Sequence, residues 1–214
     1  MTNIELDYDV CIIGSGVAGL SAALSLQGCG FRVAVFERDA DFIDRKQGYG
    51  LTLTYSTNGP LSKLGVLEEC IVNNCPSHCH YVFNPKGDVI GYYGRELKVG
   101  EQKEKQSDHG GNRGNLRIPR QDLRMMLIQK LKPETVQWGW SMLDYHESVE
   151  NVSVTFKAAN SEEPTIKVIN TLVLVGSDGI RSKVRQLRDQ RHFLTKIARN
   201  TPTLSDLPVE DQTL

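Results

Sequence analysis

Between Tyr8 and Gly19 the chain reads Tyr-Asp-Val-Cys-Ile-Ile-Gly-Ser-Gly-Val-Ala-Gly, an apolar run that enters three glycines directly. Val10 to Ile13 predict a strand buried on both faces of a parallel sheet, and Gly14 turns the chain at its end. Gly14 permits the tight turn, Gly16 lets backbone N–H groups approach a pyrophosphate, and Gly19 lets the next helix pack closely. Ser15, Val17 and Ala18 complete this loop, so the phosphates face a helix N-terminus. Leu20, Ala23, Leu24 and Leu26 give that helix an apolar side, Gly28 and Gly30 end it, and Phe31 to Phe36 predict a second strand. Glu37 then stands at the carboxyl end, where a carboxylate accepts hydrogen bonds from both ribose hydroxyls of an adenosine and repels a 2′-phosphate. Glycines alone also occur in turns of other α/β proteins. Strand, helix, second strand and acidic terminus together point to an adenine dinucleotide, without choosing between FAD and NAD.

A second segment has the same logic. Thr171 to Val175 predict another buried parallel strand, Gly176 to Gly179 a turn at its carboxyl end, and Ser182 the start of a helix. Ligands of open α/β sheets collect at that edge. Asp178 there is either a ligand-binding carboxylate or a plain cap for Ile180 or Arg181.

Three motifs in this order resemble the flavin-dependent aromatic hydroxylase family, the single-component FAD monooxygenases that include salicylate and para-hydroxybenzoate hydroxylases and zeaxanthin epoxidase. The first is Gly14 to Arg38, whose Glu37-Arg38 pair corresponds to the family's contact with the adenosine ribose. The second is Arg117 to Leu127, with Arg120 in the place that contacts FAD. The third, Leu174 to Arg185, matches the family's "GADG…S.VR" signature, in which the aspartate, here Asp178 followed by Gly179, binds the FAD ribose or pyrophosphate region. A weaker likeness, Arg45 to Leu53, is similar to the segment that passes beside the flavin, and it adds Arg45 to the cofactor-binding residues.

The resemblance implies a Rossmann-like α/β FAD-binding domain with part of a β-rich substrate domain. It implies FAD as cofactor, NAD(P)H as co-substrate, and insertion of one oxygen atom into an aromatic or alkene small molecule through a flavin hydroperoxide. The cofactor carries the hard chemistry, so no side chain is assigned as catalytic. Arg181, Lys183, Arg185 and Arg188 suit either a solvated helix face or the phosphates of NADPH. Two other readings stand beside this one: a related flavoprotein reductase or halogenase, echoed in part by Trp138-Gly139-Trp140, and a non-catalytic dinucleotide-binding module.

Among 214 residues, 25 basic against 26 acidic side chains imply no nucleic-acid partner. No apolar run is long enough for a membrane span, and Glu5, Asp7 and Asp9 replace the pattern of a secretory signal, which leaves the cytoplasm as the default expectation. Five cysteines, Cys11, Cys29, Cys70, Cys75 and Cys79, are an odd set that argues for reduced thiols. Cys75, His78, Cys79 and His80 lack the second ligand pair of a zinc motif, so no metal is expected.

Residues 1–75 and 115–188 are expected to form the FAD-binding domain, 76–114 a hairpin of the substrate-facing sheet with a mobile loop, and 189–214 a disordered tail. A helix is expected near Leu61 to Cys70 and another over Arg120 to Leu131. Tyr49, Tyr55 and Tyr92 are weaker candidates for facing substrate. After Arg188 nothing resembles the family's third, "GD" motif, so a shortened chain is expected. Sequence sets no oligomeric state.

Overall fold

The computed structural model of the protein describes residues 5–44, 48–75, 79–94, 115–159 and 165–200. The chain divides into two units, Met1–Asp44 with Lys132–Leu214, and Arg45–Leu131.

The first unit is a mixed sheet with helices. In chain order its elements are β1 (Tyr8–Ile13), α1 (Val17–Gly28) and β2 (Val33–Phe36). The second unit then supplies β3 (Gly50–Leu53), α2 (Pro60–Lys63), α3 (Leu67–Val72), β4 (Cys79–Phe83), β5 (Val89–Gly94), β6 (Leu116–Pro119) and α4 (Arg120–Lys130). The first unit resumes with β7 (Val136–Gln137), β8 (Trp140–Glu147), β9 (Val152–Ala158), β10 (Ile166–Gly176) and α5 (Lys183–Asn200).

The six-stranded sheet runs β7-β2-β1-β10-β9-β8. β7, β2, β1 and β10 pair in parallel, whereas β10, β9 and β8 form an antiparallel meander. Strand alternation divides the apolar residues of β1 and β2 between two faces. Cys11, Ile13, Ala34 and Phe36 join Met142, Tyr145, Val154, Phe156 and Ile169 in one buried cluster. Phe36 stacks on Phe156 with centroids 4.2 Å apart, and Val184 and Leu187 of α5 pack against the same cluster. The opposite set, Val10, Ile12, Val33 and Val35, is buried too, as are Leu20 and Ala23 of α1. Burial pushes the Cys11 thiol up to about 12, so it behaves as a small apolar side chain. The described cysteines Cys11, Cys29, Cys70 and Cys75 are free thiols.

The structure differs from the sequence reading in three places. The strand expected to be buried over Thr171 to Val175 has Leu172 and Val173 each 49% exposed. β9 pairs only with Ile166–Thr171 of β10, so the following residues have β1 alone as a strand partner among the described residues. The helix expected near Leu61 to Cys70 breaks at Gly65, whose φ of +70° ends α2, and the chain restarts at Leu67. The helix after the Asp178 turn passes Arg188 and continues to Asn200, because Arg191 pairs with Asp144 at 2.6 Å and lies 4.0 Å over the Tyr145 ring. Residues 201–214 and the loop at 95–114 lie outside the described residues.

In the second unit β3 pairs antiparallel with β6, and β4 with β5. Asn84 closes the β4–β5 hairpin by accepting hydrogen bonds from the Lys86 and Asp88 N–H groups, each at 2.9 Å. No helix among the described residues is long and apolar enough to cross a membrane.

Candidate cofactor site

Three adjacent parallel strands end at one edge of the sheet. In the register of the ladders Ile13 lies opposite Phe36 on one side and Gly176 on the other. The next residues along these strands are Gly14, Glu37 and Ser177, so the three segments singled out from sequence start together. Gly14 N–H donates to the Phe36 carbonyl at 2.9 Å, and Ser177 N–H donates to the Ile13 carbonyl at 2.9 Å.

The two glycine-bearing turns touch. A Cβ on Gly14, which has φ +100°, would stand 2.7 Å from the Ser177 carbonyl oxygen and 3.0 Å from Asp178 Cα. A Cβ on Gly19 would stand 2.0 Å from the Gly14 carbonyl oxygen and 2.6 Å from Ser177 Oγ. Gly19 therefore brings the first turn of α1 against the loop that precedes it, in addition to any approach to the strand. Ser177 Oγ donates to the carbonyls of Ile13 at 2.8 Å and Gly14 at 3.0 Å, which ties the turns together. In the sequence Ser177 stands out only as part of the signature from Leu174 to Arg185.

Gly16 is the N-cap of α1, with extended backbone and no capping side chain, and no acidic residue follows in the first turn. The first N–H groups of an α-helix have no intrahelical partner, so those over Val17 to Gly19 present donors and the positive end of the helix dipole. Val17 is half-buried and Ala18 exposed.

Glu37 is held by its surroundings. Its Oε2 accepts from Ser15 N–H at 2.8 Å and Ser15 Oγ at 2.9 Å. Its Oε1 accepts from Arg38 N–H at 2.8 Å and Asp39 N–H at 3.2 Å. Burial pushes the Glu37 carboxyl up, but these hydrogen bonds from Ser15, Asp39 and Arg38 outweigh it and hold the group below the ordinary glutamate value. The backbone is clamped from β7 and β8: Glu37 N–H donates to Gln137 O at 2.9 Å and Trp140 N–H donates to Glu37 O at 2.8 Å. These partners were illegible in sequence because they act through the main chain. Trp138 to Trp140, the halogenase-like echo, spans the β7–β8 turn, where Gly139 has φ +75°. Arg38 is exposed, with its guanidinium 3.9 Å from Asp39.

Asp178 has two different oxygens. Oδ2 accepts from Lys183 N–H at 2.6 Å and Val184 N–H at 3.4 Å, so it caps α5 at Lys183 and Val184 and not at Ile180 or Arg181. Oδ1 is buried and has no hydrogen-bond partner among the described residues. Ser182 Oγ accepts from Arg185 N–H at 3.0 Å, and Gly179 turns the chain with φ +81°. A buried carboxylate oxygen without a partner is costly, and a ligand hydroxyl or amide is the kind of donor that relieves it.

Arg120 belongs to the other unit, where it opens α4, donates its N–H to Tyr49 O at 3.0 Å and places its guanidinium 5.7 Å from the Tyr49 ring centroid. Arg45 and His78 lie outside the described residues. Tyr92 packs 5.0 Å from Tyr81 on the β4–β5 hairpin, and Tyr49 is 54% exposed. Among the described residues no group of acidic, histidine or cysteine side chains is arranged to hold a metal ion.

A parallel sheet that offers a helix N-terminus, a fixed carboxylate and a second turn at one strand edge defines a nucleotide-binding α/β protein. The chain belongs to the family described as "FAD binding domain", whose model matches residues 7–206. A relative from Arthroderma benhamiae named "Probable FAD-dependent monooxygenase" is 33% identical over 83% of this chain and 38% of its own length. The "Phenazine 1,6-dicarboxylic acid hydroxylase PhzS" of Lysobacter antibioticus is 25% identical over 83% of this chain and 42% of its own length. Among solved structures, the flavin-dependent monooxygenase PieE in complex with FAD and substrate aligns with a TM-score of 0.67 and 18% identity, over 86% of this chain and 33% of that one. The chain thus spans less than half the length of the curated relatives it matches here.

Proposed function

We propose that this chain carries the adenosine- and pyrophosphate-binding part of an NAD(P)H-dependent FAD monooxygenase that inserts one oxygen atom into an aromatic or alkene small molecule. The observation that carries the reading is the in-register delivery of Gly14, Glu37 and Ser177 by β1, β2 and β10, followed directly by Asp178, whose buried Oδ1 has no partner among the described residues.

The residues present suit FAD. The N–H groups that open α1, from Val17 to Gly19, would hold the pyrophosphate, with Gly16 letting it approach and Gly14 keeping side-chain bulk out of the turn. Glu37 would accept the adenosine ribose hydroxyls, with Arg38 beside it. Asp178, next to Gly179, would accept a hydrogen bond from a hydroxyl of FAD in its ribose or pyrophosphate region. Arg120 and Arg45 are proposed as further FAD contacts on the family's pattern. When bound and reduced by NAD(P)H, FAD supplies the oxygen-activating chemistry, while the protein contributes orientation and electrostatics. The aromatic substrate class is suggested by the hydroxylase name of the Lysobacter relative.

FAD added to the purified chain, followed by desalting and an absorbance spectrum, tests this reading. Retained yellow flavin is the expected result. Asp178→Ala should weaken retention and Gly14→Val should abolish it, since a side chain there meets the Ser177 carbonyl. Equal flavin retention by Gly14→Val and the native chain would refute the assignment. NAD(P)H oxidation by the loaded protein tests the co-substrate.

A further inference from the structure

We propose that the Ser15 side chain is a positioning residue for ribose recognition, its hydroxyl fixing the Glu37 carboxylate from the inner side of the site so that the outer rim meets the ribose. The proposal rests on the FAD reading above and adds to it a task that glycine spacing does not specify.

Among the described residues four groups donate to the Glu37 carboxylate, and three of them, the N–H groups of Ser15, Arg38 and Asp39, belong to the main chain and would be supplied by almost any residue. Only the Ser15 hydroxyl, 2.9 Å from Oε2, depends on the identity of a side chain. Ser15 occupies the first variable place of the glycine motif, 22 residues from its partner, where the turn itself asks for no particular side chain.

Burial sets the direction. Ser15 is fully buried and Glu37 half-buried, so Ser15 meets the carboxylate from the interior while part of Glu37 remains open to solvent. Two bonds from one residue to the same oxygen, with two main-chain bonds to the other, fix both the carboxylate plane and its charge. A fixed anionic rim suits two ribose hydroxyls and opposes a 2′-phosphate.

The charged surroundings are compatible with this assignment. Arg38 and Asp39, at the end of β2, lie 3.9 Å from each other. β7 and β8 approach Glu37 through main-chain groups of Gln137 and Trp140. From β10, Lys167 lies over the Phe36 and Trp140 rings at 5.5 and 5.2 Å.

The test compares the full chain with Ser15→Ala and Ser15→Thr, following the Glu37 carboxyl carbon by NMR across pH and measuring FAD affinity at each pH. Ser15→Ala should raise the Glu37 midpoint, weaken FAD binding about tenfold, and move the acid limb of binding to higher pH. Ser15→Thr, which keeps the hydroxyl, should restore all three. An unchanged Glu37 midpoint in Ser15→Ala overturns the proposal. Tighter FAD binding by that variant overturns it too, since the hydroxyl would then be competing with the ribose. If the native chain binds no FAD while Ser15→Ala still raises the midpoint, the FAD reading fails and the ribose role fails with it. Asp178→Ala separates the two, because it should weaken FAD binding without moving the Glu37 midpoint.

Discussion

Glu37 shows how one side chain acquires its properties from neighbours far away in sequence. Its carboxyl is held below the ordinary glutamate value although burial opposes ionisation, because donors from Ser15, Asp39 and Arg38 favour the charged form. The unfolded chain therefore takes up the proton first as pH falls, and stability rises with pH between the folded and unfolded values. The native chain should be fully stabilised by this group above about pH 5 and should lose that contribution as pH falls through the lower folded value. Glu37→Gln should lack this acid-dependent loss, which urea unfolding at a series of pH values would detect. A pH dependence identical to that of the native chain would place the titrating group elsewhere.

At the scale of elements, α5 is positioned by its beginning and its middle. Gly176 lies so close to α5 that a Cβ there would stand 2.8 Å from Val184 Cβ. Asp178 and Ser182 cap the first turn, and Arg191 binds β8 through Asp144 and the Tyr145 ring. Gly176→Ala should displace α5 or strain β10, at a cost of about 1–3 kcal/mol. Ser182→Ala should cost about 1 kcal/mol as a lost cap. Chemical denaturation measures both, and the glycine variant should also weaken FAD retention because Ser177 follows directly. The Asp178 turn was legible in sequence as a strand-to-helix junction. The length of α5 was not, because polar composition after Arg188 conceals a helix that is stabilised by a partner on another element.

At the scale of the whole unit, the dinucleotide strands and the β8–β9 meander share one core, with Phe36 of β2 stacked on Phe156 of β9. Phe156→Ala should cost about 3–5 kcal/mol, and far-ultraviolet and aromatic signals of the six-stranded sheet should be lost in one transition. Added FAD at about 100 times its Kd should return about 2.7 kcal/mol of that stability by mass action. Separate melting of the antiparallel strands would contradict a shared core.

The local pattern of the chain determined the glycine turn, the strand before it, the acidic residue after the second strand and the Asp178 turn. Each depends on short-range chemistry: glycine where the backbone is strained, apolar runs where strands are buried, carboxylates where helices or riboses offer donors. Tertiary structure alone decided that Gly14 meets Ser177 and that Gln137 and Trp140 clamp Glu37. It also decided that Leu172 and Val173 stay half-exposed and that Ser15 reaches Glu37 with both its N–H and its hydroxyl. The physical reason is that a strand's partner and register, and the main-chain donors they bring, are fixed by contacts between residues distant in sequence, which no local pattern records.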